Sequence, residues 1–174
     1  MHCLRRGRGC YQVGPIARFN LNRDLLTPRA AALAEQLLPE DPVTNPFRSI
    51  VVRSVETVFA FEEAIRIAEI YEPPRIPHIE FEAKDGTAVG CSEAPRGICW
   101  HRYEIGDDGL VQEAKIVPPT SQNQARIEQD LHEFVPKIRE LDEERLKWLC
   151  EQAIRNYDPC ISCATHCLSL EVLR

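Results

Sequence analysis

One segment, residues 46–71, has the pattern of a long helix and constrains the fold more than any other part of the chain. Its apolar residues recur near the helical period, which predicts a helix with one broad buried face. Asn45 precedes it as an N-cap, and Pro73 and Pro74 follow it as a stop. The charged residues of its other side have spacings that allow surface ion pairs, so we expect them to form a solvated face: Arg53, Glu56, Glu63, Arg66 and Glu69.

Shorter elements are predicted on both sides of this helix. Before it, residues 1–22 are predicted to be irregular with a tight turn at Gly14 and Pro15, and Thr27 and Pro28 give the start signal for a short helix that follows over 30–38. After it, we predict an extended segment over 77–89, a turn-rich loop over 90–97 and two strands over 98–105 and 110–117. A loop over 118–123 and helices over 124–141 and 142–156 follow the strands. The two strands flank a Gly-Asp-Asp-Gly turn, which is typical of a β-hairpin. The fold class is therefore α+β, mainly helical with a short antiparallel β-hairpin, and residues 1–174 are expected to form a single domain.

Charge and cysteine usage restrict the class of function. A net charge of −6 does not favour a nucleic-acid partner, and no apolar run has the length of a membrane span. Eight cysteines in a chain without an export signal indicate a reducing compartment, so we expect a cytoplasmic protein. The scattered cysteines are predicted to be small buried residues, and Trp100 and Trp148 to belong to the core.

The densest group of reactive side chains lies at residues 158–166. Asp158 and Pro159 end the preceding helix, and Pro159 suits the first position of a new one. In such a helix Cys160, Cys163 and His166 would share a face, with both thiols in the first turn, where the helix dipole favours thiolate. This pattern predicts a site for a soft metal ion. A zinc knuckle that also uses Cys167 is the alternative, although its ligands would be closer together than in ordinary structural zinc sites.

A second candidate site lies where the two loops flank the hairpin. Strand pairing brings residues 93–97 and 118–123 side by side, so that Arg96 would face a loop rich in hydroxyl and amide groups. A fixed guanidinium with such donors can hold small anionic ligands. Alternatively, Arg96 is a surface arginine that satisfies loop carbonyls.

Four motifs together resemble one known family. They are Val-Gly-Pro-Ile-Ala-Arg at 13–18, Glu-Ala-Pro-Arg-Gly at 93–97, Pro-Pro-Thr-Ser-Gln-Asn at 118–123 and Asp-Pro-Cys-x-x-Cys-x-x-His at 158–166. In this order they are similar to the C-terminal portion of the large, catalytic subunit of nickel–iron (NiFe) hydrogenases. The sequence of residues 93–131 most resembles the cytosolic groups of that family, which are coupled to NAD(P) or another cofactor.

The resemblance implies reversible heterolytic cleavage of H2 at a Ni–Fe centre whose iron carries CN and CO ligands. It implies that Cys160 is a terminal nickel ligand and the first proton acceptor, and that Cys163 bridges nickel and iron. His166 would help to hold a second divalent ion such as Mg²⁺ and become the mature C-terminus. Arg96 would lie over the open side of the metals as a candidate base. The pocket for the diatomic ligands would be formed by Pro95, Arg96, Pro119 and Thr120.

The resemblance also implies partners. The family takes two further thiolates from a second Cys-x-x-Cys, which these 174 residues do not contain, so we expect a separate N-terminal half of the large subunit. An Fe–S small subunit would receive the electrons, and a maturation endopeptidase would remove the tail at 167–174. Without the other half, helix 46–71 would lack packing partners and the chain would be poorly soluble. The alternative function is a non-catalytic structural or zinc-binding remnant related to the complex I subunit of this family.

Overall fold

The computed structural model describes residues 3–160, which form five α-helices and one three-stranded antiparallel sheet. The elements are α1 (Pro15–Asn22), a 3₁₀ turn (Arg23–Leu25), α2 (Pro28–Leu37), a 3₁₀ turn (Pro46–Arg48), α3 (Ser49–Ile70), β1 (Gly86–Ala94), β2 (Gly97–Ile105), β3 (Val111–Val117), α4 (Pro119–Ile138) and α5 (Glu143–Arg155). The predicted α+β class is confirmed. None of the helices within residues 3–160 combines the length and hydrophobicity needed to cross a bilayer.

The buried core lies where α1 and α2 pack on the first half of α3. Its residues are Ile16, Phe19, Ala30, Ala34, Leu38, Val43, Val52 and Val55. Asn20 fastens the connection after α2 to α1, because its amide donates to the Val43 carbonyl at 2.8 Å and its oxygen accepts from the Val43 N–H at 2.9 Å. The prediction that residues 1–22 are irregular was wrong for α1: Pro15 begins a helix, as its missing N–H permits at the first helical position.

The long helix was predicted correctly, but its surroundings were not. Asn45 does cap the turn that leads into α3, accepting from the Phe47 N–H at 3.0 Å. The second half of α3 exposes large apolar side chains, including Phe61 at 69% and Ile65 at 60%. Two residues expected on a solvated face, Arg53 and Glu56, are instead partly buried, because α1 and the end of α5 approach that side of the helix.

The sheet is larger than the predicted hairpin. β2 and β3 pair as expected, and β1 adds a third strand to the other edge of β2. The predicted loop over 90–97 is therefore mostly strand, and Ala94 pairs with Gly97 across a two-residue turn made of Pro95 and Arg96. The predicted extended segment over 77–89 includes only the first four residues of β1, and residues 77–85 have no regular secondary structure. The rest of β1 shows no strand pattern in the sequence, because its side chains are small or polar and nearly all of them are exposed.

The last two helices follow the sheet without a long loop. Residues 118–123 are the cap and first turn of α4 rather than a loop, and the helix continues through Pro136. Asp142 caps α5 by accepting from the Arg145 N–H at 2.9 Å. Trp148 on α5 is 41% exposed, so its predicted core position was wrong; the guanidinium of Arg145 covers its ring instead. Trp100 on β2 is half-buried.

Candidate functional site

Three of the four motifs meet at one end of the sheet. β2 begins next to the end of β3, so the Pro95–Arg96 turn lies beside the start of α4. The Arg96 Nε donates to the Asp158 carbonyl at 2.8 Å and lies 3.3 Å from the Asp158 Oδ2. The Cys160 N–H donates to the Thr120 Oγ1 at 3.1 Å. Thr120 and Pro119 are buried, Arg96 and Cys160 are half-buried, and Pro95 is exposed.

The backbone turns sharply before Cys160 to reach this position. The N–H of Asp158 bonds to the Arg155 carbonyl at 2.9 Å, which ends α5. Asp158 then adopts a left-handed conformation with φ of 48°, which Asp tolerates better than most residues. This turn directs the chain away from the α5 axis and toward Thr120.

Tyr157 anchors the same turn from inside the protein. Its side chain is 7% exposed, and its hydroxyl donates to the Asp130 carboxylate of α4, which Arg126 also contacts. Burial, followed by the hydrogen bond and charge of Asp130, raises the pKa of Tyr157 above its usual value of 10.0. Sequence reasoning missed this anchor because an aromatic residue before Asp-Pro gives no pattern of its own.

The remaining motif, at residues 13–18, joins the site through contacts to its backbone. The Asn123 side chain accepts from the Val13 N–H at 2.8 Å and donates to the Val13 carbonyl at 3.1 Å, as a paired strand would. Gln122 donates to the Ile98 carbonyl at 2.6 Å and accepts from the Tyr11 hydroxyl at 3.1 Å. The two amides of the Pro-Pro-Thr-Ser-Gln-Asn motif therefore hold residues 11–13 against the sheet.

Arg18, at the end of the first motif, binds the turn that carries Arg96. Its guanidinium pairs with Glu56 of α3 and Glu93 of β1 and donates to backbone carbonyls of the turn. Burial opposes the charged form of Arg18, but the hydrogen bonds and charges of both carboxylates outweigh it and leave the pKa above its usual value. The sequence offered a signal here, since Arg18 belongs to a motif that was already singled out.

Arg53 is a further residue that sequence reasoning assigned to solvent. Its Nη1 lies 3.6 Å from the Asp158 Oδ2, so two guanidinium groups share one carboxylate. Its Nε is buried and has no hydrogen-bond partner among residues 3–160. Arg53 lines a cavity of about 590 Å³ between α1 and α3, which Arg18, Pro95 and Asp158 also line. This cavity adjoins the Arg96 side of the site.

The predicted metal ligands lie partly outside the described residues. Cys163, His166 and the predicted helix after Pro159 fall there, whereas Pro159 and Cys160 are described and have no regular secondary structure. Within residues 3–160 no group of three His, Cys, Asp or Glu side chains could hold a metal ion. What is described fits one corner of a soft-metal site: a cysteine whose backbone N–H binds Thr120, and a guanidinium bound to the carbonyl of Asp158, two residues before that cysteine. The other cysteines are not uniformly buried as predicted, because Cys91 is exposed and only Cys150, of those outside the C-terminal cluster, is buried.

Known proteins match the chain over almost its whole length, although no protein-family model matches it. The alpha chain of sulfhydrogenase 1 of Pyrococcus furiosus is 37% identical over 97% of the chain and 40% of the relative. An iron–sulfur subunit of the F420-non-reducing hydrogenase of Archaeoglobus profundus is 34% identical over 96% of the chain and 36% of the relative. The chain thus spans about two fifths of the length of these relatives.

Solved structures agree with the sequence matches. An NAD+-reducing NiFe hydrogenase in the H2-reduced state superposes with a TM-score of 0.69 and 31% identity, over 92% of this chain and 37% of that one. A NiFeSe hydrogenase of Dm. baculatum shares the fold, with a TM-score of 0.65 at 21% identity over 89% of this chain and 34% of that one. By sequence and by fold, the chain belongs to the nickel–iron hydrogenase large-subunit family and corresponds to its C-terminal part.

Proposed function

We propose that this chain is the C-terminal part of a hydrogenase catalytic subunit that interconverts H2 with protons and electrons. The observation that carries the proposal is the convergence of Arg96, Thr120 and Cys160 at one end of the sheet, from three segments far apart in sequence. A guanidinium held beside a cysteine by fixed hydrogen bonds is suited to proton transfer at a soft-metal centre.

Under this proposal the chain supplies half of the ligands. Cys160 and Cys163 would hold the nickel and iron, and His166 would hold a second divalent ion such as Mg²⁺. Pro95, Pro119 and Thr120 wall the pocket for the CN and CO ligands of the iron. When bound, the metal pair supplies a soft Lewis acid that polarises H2.

Residues of the chain accept the proton that is released and orient its acceptor. The Cys160 thiolate or the Arg96 guanidine accepts it, and the Asp158 carbonyl and carboxylate keep Arg96 oriented while it does so. Thr120 binds the Cys160 backbone, so it limits the movement of the sulfur relative to the turn that carries Arg96. Positioning of this kind keeps donor and acceptor within hydrogen-bond reach.

The partners follow from the incomplete ligand set. We propose that the remaining part of the large subunit brings the other two thiolates and covers the exposed second half of α3, where Phe61, Ile65 and Ile70 are at least 60% exposed. An Fe–S small subunit takes the electrons. A maturation endopeptidase removes residues 167–174, and the complex works in the cytoplasm.

The test is metal analysis of the chain purified after co-expression with the reading frame that lies next to it on the genome. Nickel and iron are expected in stoichiometric amounts in the wild type, with an intact mass that ends at His166. Cys160→Ser should lose nickel, whereas the same change at the exposed Cys91 should not. Zinc alone, or no metal, would overturn the proposal and favour the zinc-binding or structural remnant.

A further inference from the structure

Every N–H of the Arg18 guanidinium is occupied. Its Nε donates to the Glu56 Oε1 at 2.9 Å, its Nη1 to the Glu93 Oε1 at 2.6 Å and the Ala94 carbonyl at 2.8 Å, and its Nη2 to the Glu56 Oε2 at 3.0 Å and the Pro95 carbonyl at 2.7 Å. Arginine carries five such N–H groups in a rigid plane, so the side chain is held in a single orientation. The Arg18 and Glu56 side chains are only 24% and 22% exposed, which keeps water from competing strongly for these bonds.

These bonds act on the part of the hairpin that determines where Arg96 lies. The β1–β2 turn consists only of Pro95 and Arg96, so the carbonyls of Ala94 and Pro95 belong to the two peptide groups directly before Arg96. Pro95 is exposed and offers no buried side chain to anchor the turn. Arg18 therefore ties these peptide groups to α1, and through Glu56 to α3, whose first half carries the buried core.

The Arg96 side chain has a second attachment, to Asp158. The Arg96 Nε donates to the Asp158 carbonyl, two residues before Cys160. The distance between the Arg96 guanidinium and Cys160 is thus set by two attachments, Asp158 on one side and Arg18 on the other. Loss of the Arg18 attachment would let the turn pivot about its strands and move the guanidinium.

We propose that Arg18 is a positioning residue that holds Arg96 against Asp158, in the segment that leads to Cys160, a role in catalysis that rests on the proposed hydrogenase function. Arg18 touches neither Cys160 nor the predicted metal ligands among the described contacts, so it acts through the turn. A lysine cannot replace it fully, because one ammonium cannot bind a carboxylate in bidentate fashion and two carbonyls at the same time.

The first test uses the chain co-expressed with the rest of the large subunit and does not depend on activity. The measurement is water exchange of the Arg96 Nε–H in ¹⁵N-labelled protein, compared for wild type, Arg18→Gln and Arg18→Lys. We expect exchange to accelerate about tenfold in Arg18→Gln, the factor that corresponds to loss of roughly one net hydrogen bond, and by less in Arg18→Lys. Arg48→Gln is the matched control, since Arg48 also binds a carboxylate and a backbone carbonyl but lies away from the turn. Unchanged Arg96 exchange in both Arg18 variants would overturn the proposal.

The second test uses the assembled complex. Arg18→Gln should lower kcat for H2 by about 10- to 100-fold with little change in KM, because displacement of a catalytic group by about 1 Å costs up to a factor of this size. Arg18→Lys should recover part of kcat, and Arg48→Gln should match the wild type. Full recovery by lysine would contradict the positioning role. If the wild-type complex itself lacks H2 turnover while Arg96 exchange still responds to Arg18, the proposed function fails and the structural role stands.

Discussion

The contact between α1 and the β1–β2 turn can be tested at Gly14, where two independent constraints require glycine. The residue has φ of 104° and ψ of −157°, a region that residues with a Cβ avoid. A Cβ at this position would also lie 2.6 Å from the Arg96 backbone oxygen. Gly97 faces it from the other side, where a Cβ would lie 2.8 Å from the Gly14 nitrogen. Backbone therefore touches backbone here, and neither side can move without displacing Arg96.

The expected cost of Gly14→Ala is the sum of these two effects. The unfavourable φ and ψ cost about 1–3 kcal/mol, and a contact that is too close by several tenths of an ångström adds about 1–3 kcal/mol as packed groups shift. We therefore expect the free energy of unfolding to fall by about 2–6 kcal/mol. The assay is urea unfolding followed by far-UV circular dichroism, with the denaturant slope checked for two-state behaviour.

Two glycines provide matched controls for the two effects. Gly7 has φ of 71° but no atom within 4 Å of its Cβ position, so Gly7→Ala measures the cost of a left-handed conformation without a clash. Gly90 has neither feature, and Gly90→Ala should be neutral or slightly stabilising. If Gly14→Ala costs no more than Gly7→Ala, then α1 does not press against the turn, and the account of how Arg96 is held is wrong.

Two further predictions concern the segment that leads to Cys160. Thr120→Val keeps the shape of the buried side chain but removes the acceptor of the Cys160 N–H, so we expect a loss of about 1–2 kcal/mol and faster amide exchange at Cys160, whereas Thr120→Ser should retain both. The pKa of Tyr157 is raised in the folded state, so the protonated hydroxyl stabilises the fold. This stabilisation is fully present below pH 10 and is lost as the pH rises above 10. Tyr157→Phe should thus make the alkaline decline of the unfolding free energy shallower, measured at pH 8 and pH 10.5, while the same change at the exposed Tyr71 should leave the decline as it is. An equally steep decline in Tyr157→Phe would contradict the burial of this hydroxyl against Asp130.

The elements that sequence predicted well are those whose ends carry local signals. Asn45, the predicted cap, accepts from a backbone N–H of the turn that leads into α3, and α5 begins at Glu143, next to the predicted start at Asp142. The β2–β3 hairpin was likewise marked by alternation and by a turn rich in glycine. In these cases, a few neighbouring residues decide the structure, so a single sequence is enough.

The errors occurred where distant segments decide the structure. β1 is a strand because β2 offers its edge, although the side chains of β1 are too polar and exposed to show a strand pattern. Residues 118–123 looked like a loop because two prolines precede a polar run, yet Pro119 occupies the first position of α4, where proline costs nothing. Arg53 and Glu56 were assigned to solvent by helical period, which identifies two faces but not what covers the second one.

The same reasoning explains why four short motifs, and not composition or periodicity, indicated the candidate site. Of the residues singled out for chemistry, Arg96 and Cys160 are held by backbone or side-chain contacts to Asp158 and Thr120. Other residues of the same motifs form the contacts between motifs: Asn123 binds Val13, and Arg18 binds the turn before Arg96. A motif at this candidate site is therefore a chemical group together with the residues that fix it. Within residues 3–160, Arg96 and Cys160 are held in place by contacts of this kind.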